Sequence, residues 1–341
     1  MVEINIKNVD SGQRLNKFLL KYLNQAPSSF VYKMLRKKNI VLNDKKAKGD
    51  EILMAGDSVK LYLSDDTINN FRNSASSSSN GSSSGSVKWV TDLSRKLKIL
   101  YEDQDIMAVH KDTGILSQKA NKDDYSINEA IVDYISNHEG YAHSDTFKPS
   151  VCNRLDKNTS GIILAGITLK GSQHLSSVLK DRSLNKYYFT IVKGQFKNRT
   201  ICKAYINKDN DKNLSKVISK EEYDLLSSQD DLNLKKYYEI MTEFIPISTN
   251  GNSTLLKIKL ITGKSHQIRA HLKYLGYPMA GDIKYGDKSY NSYMREKYKL
   301  SNHLLHAGIV QLDKNIIITD PLPDIFVKIC KGEALDLKEA L

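Results

Sequence analysis

The sequence predicts an α+β fold: a mixed, largely antiparallel sheet flanked by helices, preceded by a small N-terminal α/β module. Three observations carry this. Apolar strand-like runs alternate with stretches of helical spacing from Trp89 onward and pair as hairpins, which favours a mixed sheet over a regular parallel one. Residues 12–63 place two amphipathic helical segments ahead of short strands. Between these parts, residues 74–86 consist of nine Ser, two Gly, one Ala and one Asn, with too little apolar surface to fold. The organisation expected is therefore a module over 1–64, a Ser-rich flexible linker over 65–88, and a larger domain over 89–341.

The module reads element by element. Leu15, Phe18, Leu19, Tyr22 and Leu23 recur at helical spacing, and Pro27 ends that helix. Ser28 or Ser29 can cap a second helix with Val31, Met34 and Leu35 inward and Lys33, Arg36 and Lys37 outward. A strand over 40–42 meets an Asn43-Asp44 turn, and Gly56-Asp57 turns into a strand whose Val59, Leu61 and Leu63 alternate with polar partners. In the larger part, strands are expected at 99–101, 106–109, 161–168, 187–193 and 254–261. Helices are expected over 127–136, 169–181 and 265–275, the last ending at Gly276. The polar stretch 207–236 reads as a surface insertion.

Charge separates the two parts further. The 341 residues carry a formal net charge of +12, with 40% hydrophobic and 26% charged residues, a composition that excludes wholesale disorder. Residues 11–48 hold ten Lys and Arg, among them Arg14, Lys33, Arg36 and Lys37, against one acid, Asp44. A solvated face normally mixes signs, so this one-sided run points to an anionic partner, with nucleic acid foremost. No apolar stretch approaches the roughly 20 residues of a membrane span, and no secretory leader is visible. Cys152, Cys202 and Cys330 offer neither a disulfide framework nor zinc-ligand spacing. The expectation is a cytoplasmic protein, monomeric, with no membrane partner.

Chemistry is concentrated in a few short blocks. Cys152-Asn153-Arg154-Leu155-Asp156 leads through Thr159-Ser160-Gly161 into the apolar run Ile162–Ala165, which places a carboxylate at the mouth of a buried strand. Local geometry leaves two readings open, a working carboxylate or an Arg154–Asp156 pair in an Asx-type turn. No second carboxylate stands nearby for a glycosidase pair, and neither a phosphate loop nor a nucleophile elbow is present. His266 and His271 are five residues apart, not the four of a helical metal pair, so no metal site is expected. Taken alone, Tyr188, His306 and Cys152 read as buried packing residues.

Those blocks resemble the RluA-type pseudouridine synthases. Arg154-Leu155-Asp156-x-x-Thr159-Ser160-Gly161 resembles the family signature around its catalytic Asp, and Lys186-x-Tyr188 with Val192 and Gly194 resembles its Tyr-bearing strand. Thr262-Gly263-Lys264-Ser265-His266-Gln267-Ile268-Arg269, then Gly281-Asp282 with Tyr285-Gly286, Leu305-His306-Ala307 and Pro321-Leu322-Pro323, follow in the family's order. Residues 12–63 resemble an S-four-type RNA-binding domain, and the whole arrangement is most like the RluC group, which modifies large-subunit ribosomal RNA. Asn153, Asp112 and Lys264 depart from the pattern, which puts the substrate subtype in doubt but not the reaction.

The resemblance implies an isomerase that breaks the uridine N-glycosidic bond, turns the uracil and joins C5 to C1′, with no cofactor. Asp156 would act as nucleophile at C1′ or as base at C2′. Arg269 would pair with Asp156 and orient it, and Tyr188 would stack on the flipped uracil and assist loss of the C5 proton. Arg154, Lys186, Lys264 and His266 would contact substrate, and Arg14, Lys33, Arg36 and Lys37 would hold RNA through its phosphates. The expected substrate is structured RNA, large-subunit ribosomal RNA first. The alternatives are a synthase acting on transfer RNA and a non-catalytic RNA-binding or ribosome-assembly factor. The last has no use for Asp156, Tyr188 and Arg269 together.

Overall fold

The computed structural model describes residues 1–72, 84–121, 124–138, 141, 144, 146–209, 213–228 and 236–338. The chain divides into two compact units, each assembled from separate stretches. One comprises 1–108, 117–154 and 164–177; the other comprises 109–116, 155–163 and 178–341.

The first unit opens with β1 (Val2–Asn5), α1 (Leu15–Tyr22), α2 (Ser28–Arg36), β2 (Ile40–Leu42), β3 (Lys45–Lys46), β4 (Ser58–Leu61) and α3 (Asp65–Phe71). The strands form a small sheet in the order β1-β4-β2-β3. Leu15, Phe18 and Leu19 of α1 and Val31 and Leu35 of α2 bury against Ile40, Val59 and Leu61, as their spacing predicts. Asn43 and Asp44 both take left-handed backbone, φ 49° and 60°, the demand of a tight primed hairpin turn.

Two details differ from expectation. Neither Ser28 nor Ser29 caps α2, because Pro27 occupies the N-cap with extended backbone and both serines fall in the first turn. The module's packing also continues past residue 64. Ser64 caps α3 by accepting the Thr67 N–H at 3.3 Å, and Ile68 and Phe71 join the core of α1 and α2. Residues 73–83, the centre of the expected linker, lie outside the described residues. All ten basic residues of 11–48 are exposed. Asp10 is buried and accepts from Thr146 Oγ1 at 2.5 Å, while Gln13 donates to the same hydroxyl at 3.3 Å.

Along the chain follow α4 (Ser84–Arg95), β5 (Ile99–Glu102), β6 (Ile106–Lys111), α5 (Ile127–Asn137), β7 (Ser150–Val151), β8 (Ser160–Gly166) and α6 (Leu169–Lys180). Ser94 of α4 donates to Asp133 of α5 at 2.5 Å. Cys152 is half-buried, more open than its reading as a packing residue predicted, because the chain turns there from β7 into an irregular loop.

The second unit continues with β9 (Asn185–Lys193), β10 (Thr200–Asp209), β11 (Leu214–Ile218), α7 (Lys220–Ser228), β12 (Tyr238–Thr249), β13 (Ser253–Leu260) and α8 (Gln267–Tyr274). It ends with α9 (Lys288–Tyr298), β14 (Leu305–Gln311), β15 (Ile317–Thr319) and α10 (Asp324–Gly332). Its sheet runs β11-β10-β12-β13-β9-β14-β8, antiparallel at every join except the parallel last one. The stretch from 207 is thus not a mere insertion: β10 and β11 extend the sheet, and Ile206 and Ile218 are buried in it. Phe189, Ile191 and Leu255 pack under α9 and α10 with Met294, Phe326 and Ile329. The α+β expectation, with its largely antiparallel sheet, holds.

The parallel join is unusually close. Gly161 pairs with Ala307 at φ +116°, and a Cβ there would fall 2.3 Å from the Ala307 carbonyl oxygen. Only glycine fits, which explains the Gly after Thr159-Ser160.

Candidate active site

The loop 155–159 that carries Asp156 is pinned at each residue that follows it. The Lys157 carbonyl accepts the Gly114 N–H at 2.9 Å and the Lys111 ammonium at 3.1 Å. Asn158 donates to Asn302 Oδ1 at 2.9 Å, and Thr159 Oγ1 lies 2.9 Å from His303 Nε2. Lys111, fully buried at the end of β6, also donates to the carbonyls of Asp112 and Ile115 at 3.0 and 2.8 Å. Burial pulls its ammonium down to about 7, against the opposing charges of Asp112 and Asp156.

The partner of Asp156 comes from α8. Gln267 organises the approach to that helix by accepting from Thr262 Oγ1 and the Lys264 N–H, both at 3.0 Å, and donating to Thr242 Oγ1 at 2.9 Å. Two residues on, Arg269 projects a guanidinium that is 7% exposed. Its Nη1 donates to Asp156 Oδ2 at 2.9 Å, and its Nε and Nη2 donate to the two oxygens of Asp282 at 2.7 and 2.9 Å. Asp282 Oδ1 further accepts the N–H groups of Lys284 and Tyr285 at 2.9 and 3.0 Å. Burial acts to raise the Asp282 carboxyl, but Arg269 and the Tyr285 N–H outweigh it and hold the group below the usual carboxylate range. The expected Arg269–Asp156 pair is present, 113 residues apart in the chain.

Other expected residues gather around this pair to different degrees. Tyr188 on β9 is buried; burial and the Asp156 charge both push its phenol up. Lys186, half-buried on the same strand, has its ammonium pushed down by burial. His266 places Nε2 4.0 Å from Asp156 Oδ2 and Nδ1 2.9 Å from the Tyr285 hydroxyl. Its imidazole is held below its ordinary value by burial and by the positive charges of Arg269, Lys284 and Lys208, against the pull of Asp156. Lys264 is exposed, with its ammonium 3.8 Å above the ring of Tyr238. Arg154 is exposed, and Arg14, Lys33, Arg36 and Lys37 lie on the exposed surface of the first unit.

A cleft of about 370 Å³ opens over the pair, lined by Asp156, His266, Arg269, Lys284, Asn302 and His303 among others. Asp156 is a half-exposed carboxylate in its lining, with 29% of the side chain accessible. Three groups that hold it, Asp282, Lys111 and His303, had no role in the sequence reading. Asp282 and Lys111 lie in or beside quoted blocks, but nothing in their spacing says that Arg269, or the loop 46 residues on from Lys111, needs them. The arrangement suits a single carboxylate working on a neutral group: an oriented anion and an imidazole line one cleft, and a buried phenol lies near enough to feel the anion's charge. Among the described residues no cluster of His, Cys, Asp and Glu could hold a metal ion. No described helix is long and apolar enough to cross a membrane.

Comparison with known proteins agrees with this geometry. The family model for RNA pseudouridylate synthase matches residues 105–274, which span Asp156, Tyr188 and Arg269. An uncharacterised RNA pseudouridine synthase of Mycoplasma genitalium is 31% identical over 302 residues, covering 87% of this chain and 84% of that protein. The ribosomal large subunit pseudouridine synthase C of Vibrio vulnificus is 28% identical over 312 residues, covering 91% and 88%. The solved structure of human RNA pseudouridylate synthase domain containing 4 superposes with a TM-score of 0.58 at 19% identity, over 73% of this chain and 98% of that one. With an oriented carboxylate in the cleft and relatives of this kind along nearly its whole length, the chain belongs to the RNA pseudouridylate synthases, enzymes that isomerise uridine within RNA.

Proposed function

We propose that this enzyme converts uridine to pseudouridine in large-subunit ribosomal RNA, with Asp156 as the group that acts at the ribose. The observation that carries the assignment is the hydrogen bond from Arg269 Nη1 to Asp156 Oδ2, which leaves the other carboxylate oxygen out of that bond on a residue that lines the cleft. That oxygen attacks C1′ or takes the C2′ proton; either way the N1–C1′ bond breaks and C5 replaces N1. In this reading Tyr188, buried within reach of the Asp156 charge, packs against the uracil face, and Lys186, Lys264 and Arg154 contact the surrounding RNA. The ribosomal substrate is supported by relatives named ribosomal large subunit pseudouridine synthase C, such as those of Vibrio vulnificus and Haemophilus ducreyi.

In this reading the first 64 residues act as an RNA-binding module, with Arg14, Lys33, Arg36 and Lys37 neutralising phosphates. The test is carbodiimide mapping of pseudouridines in ribosomal and transfer RNA from cells with and without the gene, followed by complementation with Asp156→Ala. A site lost from the large-subunit RNA, restored by the wild type and not by the variant, is the expected result. A change confined to transfer RNA would move the substrate, and restoration by Asp156→Ala would overturn the role of Asp156.

A further inference from the structure

His266 is held in a costly conformation that gives its side chain no capping role. It occupies the N-cap of α8 in the left-handed region, φ 55° and ψ 14°, where a side chain bearing a Cβ is strained by roughly 1 kcal/mol or more. Its side chain makes no capping hydrogen bond to the helix. Instead the imidazole turns toward the cleft and is anchored at Nδ1 by the Tyr285 hydroxyl, 2.9 Å away. That hydroxyl oxygen already accepts the Ser215 N–H at 2.6 Å, so its own proton is free to go to Nδ1. The network therefore assigns the proton of the neutral imidazole to Nε2. Nε2 lies 4.0 Å from Asp156 Oδ2, beyond hydrogen-bond reach, so this donor and the carboxylate face the same space without closing on each other. Strain at a non-glycine residue, a fixed tautomer and a donor pointing into a reactive cleft have one economical explanation: the donor is meant for substrate.

We propose that His266 is a catalytic residue whose Nε2–H donates a hydrogen bond to O2 of the target uracil and stabilises the uracil anion as the glycosidic bond breaks. This rests on the reading that Asp156 acts at the ribose. When the N1–C1′ bond breaks, its electron pair goes to the uracil ring and is shared among N1, O2 and O4. C1′ is taken up by an Asp156 oxygen, or becomes part of a C1′–C2′ double bond after Asp156 removes the C2′ proton. The anion turns and C5 bonds to C1′, which releases the Asp156 oxygen in the first route or takes the proton back from Asp156 at C2′ in the second; the C5 proton is lost and N1 gains one, so the overall change is an isomerisation. His266 transfers no proton; it offers a preorganised dipole where charge develops. A neutral donor suits the position because a cation there would pair with Asp156 and close the space. Burial and the nearby Arg269, Lys284 and Lys208 charges favour the neutral imidazole, against the pull of Asp156.

The test pairs the side chain with the substrate atom. The target segment found by mapping is synthesised with uridine or with 2-thiouridine, whose sulfur is a poor acceptor, and single-turnover rates are measured at saturating enzyme. On uridine, His266→Ala should slow turnover by about ten- to a hundred-fold, with RNA affinity within about three-fold, while His266→Gln, which keeps an N–H donor, should recover part of the loss. On 2-thiouridine the wild type should already be slow, and His266→Ala should cost less than about three-fold more. An equal penalty on both RNAs, or none on uridine, overturns the proposal. If His266→Ala does not fold by circular dichroism, the same comparison is made with His266→Gln, which should then lose less on 2-thiouridine than on uridine. Wild-type rates in Asp156→Ala would overturn the reading beneath the proposal, a result distinct from any outcome at His266.

Discussion

Arg269 grips Asp282 through two parallel hydrogen bonds, at 2.7 and 2.9 Å, and reaches Asp156 through one, at 2.9 Å. The fully buried carboxylate thus fixes the guanidinium, and the guanidinium fixes the half-exposed carboxylate in the cleft. Orientation passes from Asp282 to Asp156 by way of a rigid fork, and the bidentate side lies away from the chemistry.

Removing Asp282 should cost more than removing a surface acid. Asp282→Ala leaves Arg269 buried with only Asp156 to balance it, and leaves two backbone N–H groups without their acceptor. The expected loss is roughly 3–5 kcal/mol of unfolding free energy, with Asp282→Asn milder because its carbonyl still accepts. Both should slow single turnover. Urea unfolding and turnover of the purified variants check this; wild-type values for Asp282→Ala would show that the grip is dispensable.

Arg269→Lys should fail where charge alone would predict success. An ammonium is a point charge and cannot span Asp282 and Asp156 in the geometry of a planar fork. A misplacement of about 1 Å costs on the order of a hundred-fold in rate, so turnover should drop by at least that much while RNA binding is kept. Stopped-flow or quenched turnover at saturating RNA is the measurement. A Lys variant within about five-fold of wild type would mean that the fork geometry is irrelevant.

How far the sequence reveals this site depends on how local each contact is. The helices α1 and α2, the Asn43-Asp44 turn and the strands β9 and β13 follow from spacing and turn chemistry confined to a dozen residues each. The blocks around them single out Asp156, Tyr188 and Arg269, and the structure brings the first and last into one hydrogen bond. The supports Asp282, Lys111 and His303 were not legible, because none shows periodicity of its own: Lys111 and His303 act on a loop 46 and 144 residues distant, and Asp282 acts only by way of Arg269. The stretch from 207 misled for a different reason. Its Lys, Asp and Asn content is that of an exposed loop, yet Tyr205 and Ile206 pair with Ile218 and Val217 at the sheet's edge, where one polar face is compatible with a strand.

Lys111 should make stability depend on pH in the alkaline range. Its folded value is about 7 against an ordinary 10.5. Below about 7 both folded and unfolded chains hold the proton, so the burial penalty is constant. Between about 7 and 10.5 the folded state sheds the proton while the unfolded state keeps it. The unfolded state then binds more protons, and the Lys111 contribution to stability rises with pH across that window. Lys111→Met removes this dependence and strips the carbonyls of Asp112, Ile115 and Lys157 of a donor. Urea midpoints of the two proteins from pH 6.5 to 10 should diverge in favour of the wild type as pH rises. Parallel curves would refute the assignment.

The basic face of the first unit should govern affinity and not the chemical step. Lys33, Arg36 and Lys37 are exposed on or beside α2, so replacing them with Gln changes charge with little effect on packing. If each neutralises a phosphate, the slope of log affinity against log salt should shrink by roughly 2 to 3. Single-turnover rates at saturating RNA should stay within about two-fold. A slope that does not move would place the RNA contacts elsewhere.

Gly161→Ala should disable the enzyme through the backbone alone. Gly161 stands at φ +116°, a region closed to residues with a Cβ, and the added carbon would lie 2.3 Å from the Ala307 oxygen and 2.6 Å from its nitrogen. Neither neighbour is a flexible side-chain end. The only relief is for β8 and β14 to separate, which breaks the parallel join at Ser160–His306 and the 2.9 Å contact between Ser160 Oγ and His306 Nδ1. Strain and overpacking together should cost about 3 kcal/mol or more. The shift acts directly upstream as well. Thr159, whose N–H is bonded to the Asp156 carbonyl at 3.0 Å, is two residues from Gly161, so the loop that presents the carboxylate must move with the strand. Turnover at a temperature where the variant is still folded should therefore fall by about ten-fold or more, beyond what its unfolded fraction explains. Denaturant titration measures the first effect, and single turnover scaled to the folded fraction measures the second. A variant with a wild-type midpoint would show that β8 and β14 are free to part at this point, and a destabilised variant with wild-type turnover per folded molecule would show that the Asp156 loop is held without help from the strand.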